Sequence, residues 1–210
     1  VSKKIIDLYK SGILDEKVPE KYNISNHEQR LLECWDEFYK GIDLKVIGFP
    51  VWMQEFKKES ETNELPKWKK DFCLKNRELY KRNKKFIDKW LKKWNNLEEF
   101  TETEKKFEWQ AGNDIETIWD GYIQIRSSGV RVKRPSSFPA LVAIVQIPII
   151  GKYRRRLTPR EAARLQSFPE DFIIDENVFQ AYKQFGNSVN VKCVEFLAKQ
   201  LFEQTSKKKK

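Results

Sequence analysis

The sequence predicts an α+β chain in two parts, a small mixed domain over residues 1–157 followed by helices over 158–210. Three observations predict it. Apolar residues recur at helical spacing in two long stretches of the first half. Between Tyr122 and Lys133 they alternate at strand spacing instead. Past Leu157 a strong helix cap opens a series of short helical segments.

The elements follow in order. Ser25-Asn26-His27-Glu28 is a capping box, in which Ser25 caps the helix and Glu28 reaches back to the free backbone amide. Leu31, Leu32, Trp35, Phe38 and Tyr39 continue that helix until Gly41 stops it. Lys45 to Pro50 reads as a short strand or extended piece. A second helix is expected from Pro66 to about Trp94, apolar at Trp68, Phe72, Leu79, Phe86, Trp90, Leu91 and Trp94, with lysine-rich outer faces turned to solvent or DNA. Phe107 to Trp119 is broken up by Gly, Asn and Asp. Strands are expected at Tyr122–Arg126 and Val130–Lys133, joined by a hairpin turn at Ser127-Ser128-Gly129. Leu141 to Ile150 reads as a buried strand. Thr158-Pro159-Arg160-Glu161 is a second capping box, with Pro159 where its missing amide has no cost, and this helix is expected to end near Ser167. Further helices are expected over Glu176–Gln184 and, after a break at Gly186-Asn187-Ser188, along Val191, Val194, Leu197, Leu201 and Phe202.

Seven Trp residues and an aromatic content of 13% supply enough apolar area for a core, despite a mean hydropathy of −0.72. The net charge is +10, of which the run Lys207 to Lys210 forms a solvated basic tail. From Gly121 to Arg164 there are ten Lys or Arg and one acid, Glu161. Such a stripe suits a polyanion, because each neutralised phosphate releases condensed counterions; a solvated basic face is the alternative. Cys34, Cys73 and Cys193 have no metal-binding spacing and read as reduced, mostly buried thiols. With His27 the only histidine, no metal site is expected. No apolar run reaches membrane-spanning length and no signal peptide is evident, so a cytoplasmic protein is expected.

Two stretches carry more than generic structure. Arg156-Leu157-Thr158-Pro159-Arg160-Glu161-Ala162-Ala163-Arg164-Leu165-Gln166-Ser167-Phe168-Pro169 resembles the ninth conserved motif of the bacterial DNA (cytosine-5)-methyltransferases. Ala181-Tyr182-Lys183-Gln184-Phe185-Gly186-Asn187-Ser188-Val189 resembles the tenth. Together they cover about a quarter of the chain, and Tyr122 to Gly151 is weakly similar to the end of that family's target-recognition region. The resemblance implies that residues 1–157 read duplex DNA. It also implies that the helices after Thr158 belong to the edge of an α/β (Rossmann-like) catalytic domain whose sheet lies outside this chain.

Site expectations follow from the resemblance and from residue chemistry. Asn187, Ser188 and Val189, expected at a helix start, are the candidates for contact with S-adenosylmethionine. Arg126, Arg131, Lys133 and Arg134 flank the hairpin, and with Arg154 and Arg155 they are the DNA-contact candidates, for phosphate or a guanine edge. Arg160, Glu161, Arg164 and Gln184 are expected to be structural, with Glu161 a cap rather than a general base. Near the end of the recognition region many relatives have Thr-Leu; here Ala140-Leu141 stands, without the hydroxyl.

The chemistry of the family needs a thiolate to attack cytosine C6, an acid near N3 and a flipped base. The residues before the three cysteines are Glu33, Phe72 and Lys192, so the family's Pro-Cys pair is not among them, and its Glu-Asn-Val string is also missing. This chain alone is therefore expected to be inactive. It reads as either a truncated enzyme or the smaller subunit of a split one, its partner being the catalytic half. Two rival readings stand beside it. One is a DNA-binding module with no methyltransferase partner. The other is a nuclease built on Asp43-Leu44-Lys45, a triplet that arises easily by chance in a chain with 34% charged residues.

Overall fold

The computed structural model describes residues 4–44, 47–58, 64–142 and 146–207, with side chains followed to residue 204. The chain forms two compact units. The first comprises Val1–Ile5, Asn23–Pro139 and Pro148–Arg155; the second comprises Ile6–Tyr22, Ala140–Ile147 and Arg156–Lys210.

The first unit is built on helix α1, Asn26–Gly41. The Ser25 hydroxyl accepts from the Glu28 amide at 3.2 Å and the Glu28 carboxylate accepts from the Ser25 amide at 3.0 Å, as the capping box predicts. Leu31, Leu32, Trp35, Phe38 and Tyr39 are all buried on one face. Trp35 stacks on Phe107 with ring centroids 5.0 Å apart, and Phe38 packs on Trp90 at 4.9 Å. A buried indole N–H must also find an acceptor. Trp35 donates to the Glu104 carbonyl at 2.9 Å and Trp90 to the Cys34 carbonyl at 3.0 Å.

The long helix expected from Pro66 to Trp94 is two helices, α2 (Lys67–Arg82) and α3 (Lys84–Lys93). The break is at Asn83, with φ −109° and ψ 21°. Its buried amide donates to the Leu79 carbonyl at 3.1 Å and accepts from the Asp43 amide at 3.0 Å. Asparagine offers the backbone such alternatives to the helical ladder, which is why it ends helices that apolar periodicity alone would continue.

A mixed sheet lies beside these helices. Its strands are β1 (Val51–Trp52), β2 (Lys106–Gln110), β3 (Tyr122–Arg126), β4 (Gly129–Lys133), β5 (Ile149–Ile150) and β6 (Arg155–Arg156), in the order β1-β2-β4-β3-β5-β6. β2 and β4 run parallel, while the β1/β2, β3/β4 and β3/β5 pairs are antiparallel. The β3–β4 hairpin closes over Ser127 and Ser128, with Arg126 opposite Gly129. Gly129 has φ 121°, and a Cβ there would stand 2.6 Å from the Lys106 carbonyl oxygen, so both backbone and space demand glycine. At the boundary of the unit Asn23 bridges to Arg155.

Two strand expectations are corrected, and one strand was not expected at all. The extended piece expected over residues 45–50 lies partly outside the described residues, at Lys45 and Val46; Ile47 to Pro50 join no strand, and pairing begins at Val51. The buried strand expected over 141–150 shrinks to Ile149–Ile150; residues 143–145 lie outside the described ones and Val142 is 41% exposed. β2 went unexpected although Phe107 and Trp109 alternate with polar residues, because the turn formers after it obscure a strand of five residues.

The second unit contains α4 (Pro159–Leu165), α5 (Val178–Asn187) and α6 (Val191–Lys207). Among the described residues no helix is long and apolar enough to cross a membrane.

Regular structure is short here, and buried polar side chains complete it. Asn76 on α2 has no exposed surface; it accepts from the Trp52 amide at 2.7 Å and donates to the Pro50 and Phe72 carbonyls at 3.0 and 2.8 Å. Asn76→Ala strands two backbone groups of the β1 segment. It is expected to lower unfolding free energy by about 3 kcal/mol, measured by urea denaturation, with Asn76→Asp no better because it keeps one acceptor and buries a charge.

Candidate nucleic-acid interface and helix junction

Along β2, β3 and β4, one set of side chains enters the core: Phe107, Trp109, Ile123, Val130 and Val132. The pleat sends the alternate residues to the opposite face. Register there sets Glu108, Arg131 and Gln124 in one row and Gln110, Lys133 and Tyr122 in the next, with Arg126 at the hairpin end. Arg126, Arg131 and Lys133 are thus brought together, all half-buried. Arg131 is not an isolated cation. Its Nε lies 2.7 Å from the Glu108 carboxylate, a partner on β2, the strand not expected from the sequence. Arg134 is ion-paired with Asp114 and donates to the Ala111 carbonyl at 3.4 Å.

Arg154 and Arg155 separate in the structure. Arg154 is exposed in a left-handed conformation, φ 50°, with its guanidinium 4.5 Å above the Trp119 ring. Its backbone carbonyl accepts from the Ile24 amide at 3.0 Å. Arg155 is only 7% exposed, so the expected patch of adjacent arginines is not a continuous surface. Arg154 closes the left-handed turn before β6, whereas Arg155 is the first residue of that strand and turns inward.

In the second unit the two motif strings pack on each other. Tyr182 donates to the Leu157 carbonyl and Gln166 to the Phe185 carbonyl at 3.2 Å. Ala162, Ala163, Ala181 and Phe185 are buried at the crossing, and Phe168 meets Phe185 edge-on at 5.5 Å. Small residues permit the close approach. Glu161, with no exposed surface, accepts from the Thr158 amide at 2.7 Å as the cap expected. It also accepts from the Asp15 amide at 2.8 Å, across 146 residues of sequence. Arg164 holds Glu170 at 2.7 Å and Asp15 at 2.7 Å, carboxylates that raise its already high pKa further, and it donates to the Ile13 carbonyl at 3.2 Å. Arg160 donates to the Phe172 carbonyl at 2.9 Å. These two arginines anchor loops. Gln184 stands exposed on α5.

The helix junction corrects one expectation. Gly186 does not break the chain, and Asn187 is the last residue of α5 rather than a helix start. Ser188 donates to the Phe185 carbonyl at 2.9 Å, closing that end. The cap of α6 is Asn190, whose side chain accepts from the Cys193 amide at 3.2 Å and donates to the Leu165 carbonyl at 3.0 Å. Asn187 and Val189 remain at the surface, with Val189 67% exposed.

Other sequence features resolve simply. His27 lies 2.9 Å from Glu104, and Asp43 accepts from Arg82 at 2.9 Å; Lys45 is outside the described residues. Trp90 is core, and Trp94 is half-buried with its N–H on Glu37 at 3.0 Å. Among the described residues no group of His, Cys, Asp and Glu could hold a metal ion. Cys34 and Cys73 are buried and Cys193 is exposed.

The sequence profile of the C-5 cytosine-specific DNA methylases matches residues 8–203. The type II methyltransferase M.AluI of Cellulosimicrobium cellulans is 41% identical over 138 residues, which cover 65% of this chain and 26% of that protein. M1.ScrFI of Lactococcus lactis subsp. cremoris is 54% identical over 60 residues, covering 29% of this chain and 15% of that protein. M.BanI of Aneurinibacillus aneurinilyticus is 61% identical over 49 residues, covering 23% and 11%. The matched segments span about a quarter of these relatives' length or less. No solved structure matches the chain.

Because Glu161 serves two backbone donors at once, Glu161→Gln turns an N–H toward one of them. The expected loss is about 1–3 kcal/mol of stability, read by denaturation, with a raised hydrogen-exchange rate at the Asp15 amide as its local signature.

Proposed function

The chain belongs to the C-5 cytosine-specific DNA methylase family, and from that premise we propose that it is the target-recognition and closing part of such an enzyme. In this reading it binds duplex DNA and presents a cytosine to a catalytic half carried by other residues, which complete transfer of a methyl group to C5.

The observation that carries the reading is the state of the thiols. The reaction needs a thiolate for C6. Burial is the main force pushing the Cys34 and Cys73 thiols up, away from the thiolate form. Cys193 is exposed on α6 and follows Lys192, not proline. None is a suitable nucleophile, so the attack on C6 is assigned to another segment.

The DNA side rests on the polar face of the sheet and its neighbours. Arg126 and Lys133 offer mobile cations on a rigid hairpin, suited to phosphate. Arg131, held by Glu108, is oriented well enough for a base edge. Arg134 and Arg154 extend the positive surface, while Arg155 acts as support. S-adenosylmethionine would supply the methyl group. Exposed Asn187 offers an amide to its polar end and exposed Val189 an apolar contact, while the Ser188 hydroxyl, which donates to the Phe185 carbonyl, is left to accept. Those three residues fit one wall of such a site.

The exposed side of α6 fits the role of a docking face. Val194 and Leu197, three residues apart on one side of α6, are 50% and 60% exposed, and Phe196, Leu201 and Phe202 add further exposed apolar surface, more than single scattered residues account for. We assign it to the catalytic half.

The test is transfer of labelled methyl from S-adenosylmethionine to DNA by the chain alone and with the catalytic half of a relative supplied as a second polypeptide. Activity only in the mixture is expected; activity of the chain alone would overturn the reading, and silence in both with DNA binding intact would favour a stand-alone DNA-binding module. Leu197→Asp with Leu201→Asp is expected to weaken complementation by more than about tenfold, since a charge in that interface costs several kcal/mol. DNA affinity of the chain by itself should stay unchanged in the same variant, measured by fluorescence anisotropy.

A further inference from the structure

Residues 67–93, which form α2 and α3, hold twelve Lys or Arg against three acids, an excess of nine in a chain whose net charge is +10. None of these residues belongs to the hairpin face. Beside α2 an open groove of about 720 Å³ is lined on one side by Lys57 and Lys58 and on the other by Arg77, Lys81 and Lys84. Phe56 and Tyr80 form its floor, 3% and 9% exposed.

Two acids beside the groove's cations are already committed. Asp88 is 3.2 Å from Lys57 and 2.6 Å from Lys84, and it accepts from the Tyr80 hydroxyl at 2.9 Å. Those contacts, led by Lys84, lower its pKa to about 2. Glu55 is held by Lys58 at 2.8 Å and Arg77 at 3.3 Å. Exposed Glu78 lines the groove itself and offsets one of its five cations. Among the described residues Lys81, Lys85 and Lys89 have no carboxylate within ion-pair reach, and all three are exposed. Asp88 fixes the Lys57 and Lys84 ammonium groups without consuming them, since one carboxylate cannot neutralise two.

We infer that this lysine groove is a second, sequence-independent contact for the sugar-phosphate backbone of duplex DNA, distinct from the hairpin face. The inference rests on the proposed role of the chain in binding DNA. Beyond the groove, Lys67, Lys69, Lys70 and Lys75 continue the positive charge along α2, whose 16 residues span about 24 Å of helix, which fits a linear polyanion better than a compact acidic patch. Most are lysines, point charges on long stems that engage phosphate without reading a base edge. The groove lies next to β1, the sheet edge farthest from β3 and β5, because Asn76 of α2 binds the Trp52 amide. Contacts there would engage backbone away from the hairpin.

The experiment measures Kd of the full chain for random-sequence duplexes as a function of NaCl concentration. Lys57→Ala/Lys81→Ala/Lys84→Ala is expected to lower the salt slope by about two to three, by the same factor on unrelated sequences. The matching triple to Arg should keep the slope, and Arg126→Ala/Lys133→Ala should lower it additively. If the alanine triple does not fold by circular dichroism, Lys81→Glu, which has no ion pair to lose, must reduce the slope by at least about one. An unchanged slope in a folded variant would overturn the groove assignment alone. Failure of the unaltered chain to bind any duplex would overturn the DNA-binding reading beneath it. A loss confined to one sequence, or tighter binding of single-stranded RNA through the same lysines, would also sink the inference.

Discussion

Backbone groups taken out of water must be hydrogen-bonded, and in this chain much of that task falls to a few buried polar side chains. Asp36 receives the Thr117 hydroxyl at 2.6 Å and the Ile118 amide at 2.9 Å, which fixes the turn before β3 to α1. Asn76 does the same for the segment leading into β1, and Asn83 for the turn after α1. In the second unit Glu161 joins the start of α4 to residues near Asp15. Two-residue strands and single 3-10 turns could not hold their geometry by ladder bonds alone. The aromatic cluster around Trp35 supplies the driving force for collapse, and these side chains make the collapsed chain specific.

That division explains what was legible beforehand. Both capping boxes, at Ser25 and Thr158, and the hairpin over Ser127 and Ser128 are local chemistry, written within four or five residues, and all three are present. The apolar face of α1 was readable because its period is long and its five large residues are all core. The break at Asn83 depends on a partner 40 residues away, and the Asp15 contact of Glu161 on one 146 residues away. Neither leaves a local trace. The junction at Asn187 was misjudged for a related reason. Glycine suggests a helix end, yet Gly186 is accommodated inside α5 and the next cap is supplied by Asn190, which is also bound to Leu165.

The candidate site was legible in part. Charge density drew attention to residues 121–164, and the structure brings Arg126, Arg131 and Lys133 to one face. Charge alone could not distinguish cations committed to loops, such as Arg164, from those at a surface. Nor did it single out α2 and α3, whose lysines read equally well as the solvated side of a helix. The two motif strings gain a physical meaning from their packing. Tyr182 and Phe185 in one close on Leu157 and Gln166 in the other, so residues of both are needed to build a single local structure.

The bridge between Asn23 and Arg155 sets the two ends of the first unit's main body side by side, with residues 140–147 as its one excursion. A body whose two ends meet can be lifted out and replaced without stretching what flanks it. Exchange of that whole body as a cassette between relatives would leave the flanking chain in place, provided the newcomer returns it to the same bridge. Gradual substitution would act within such a cassette. Recombination would act on its borders, and the backbone pairing of two residues marks where those borders fall.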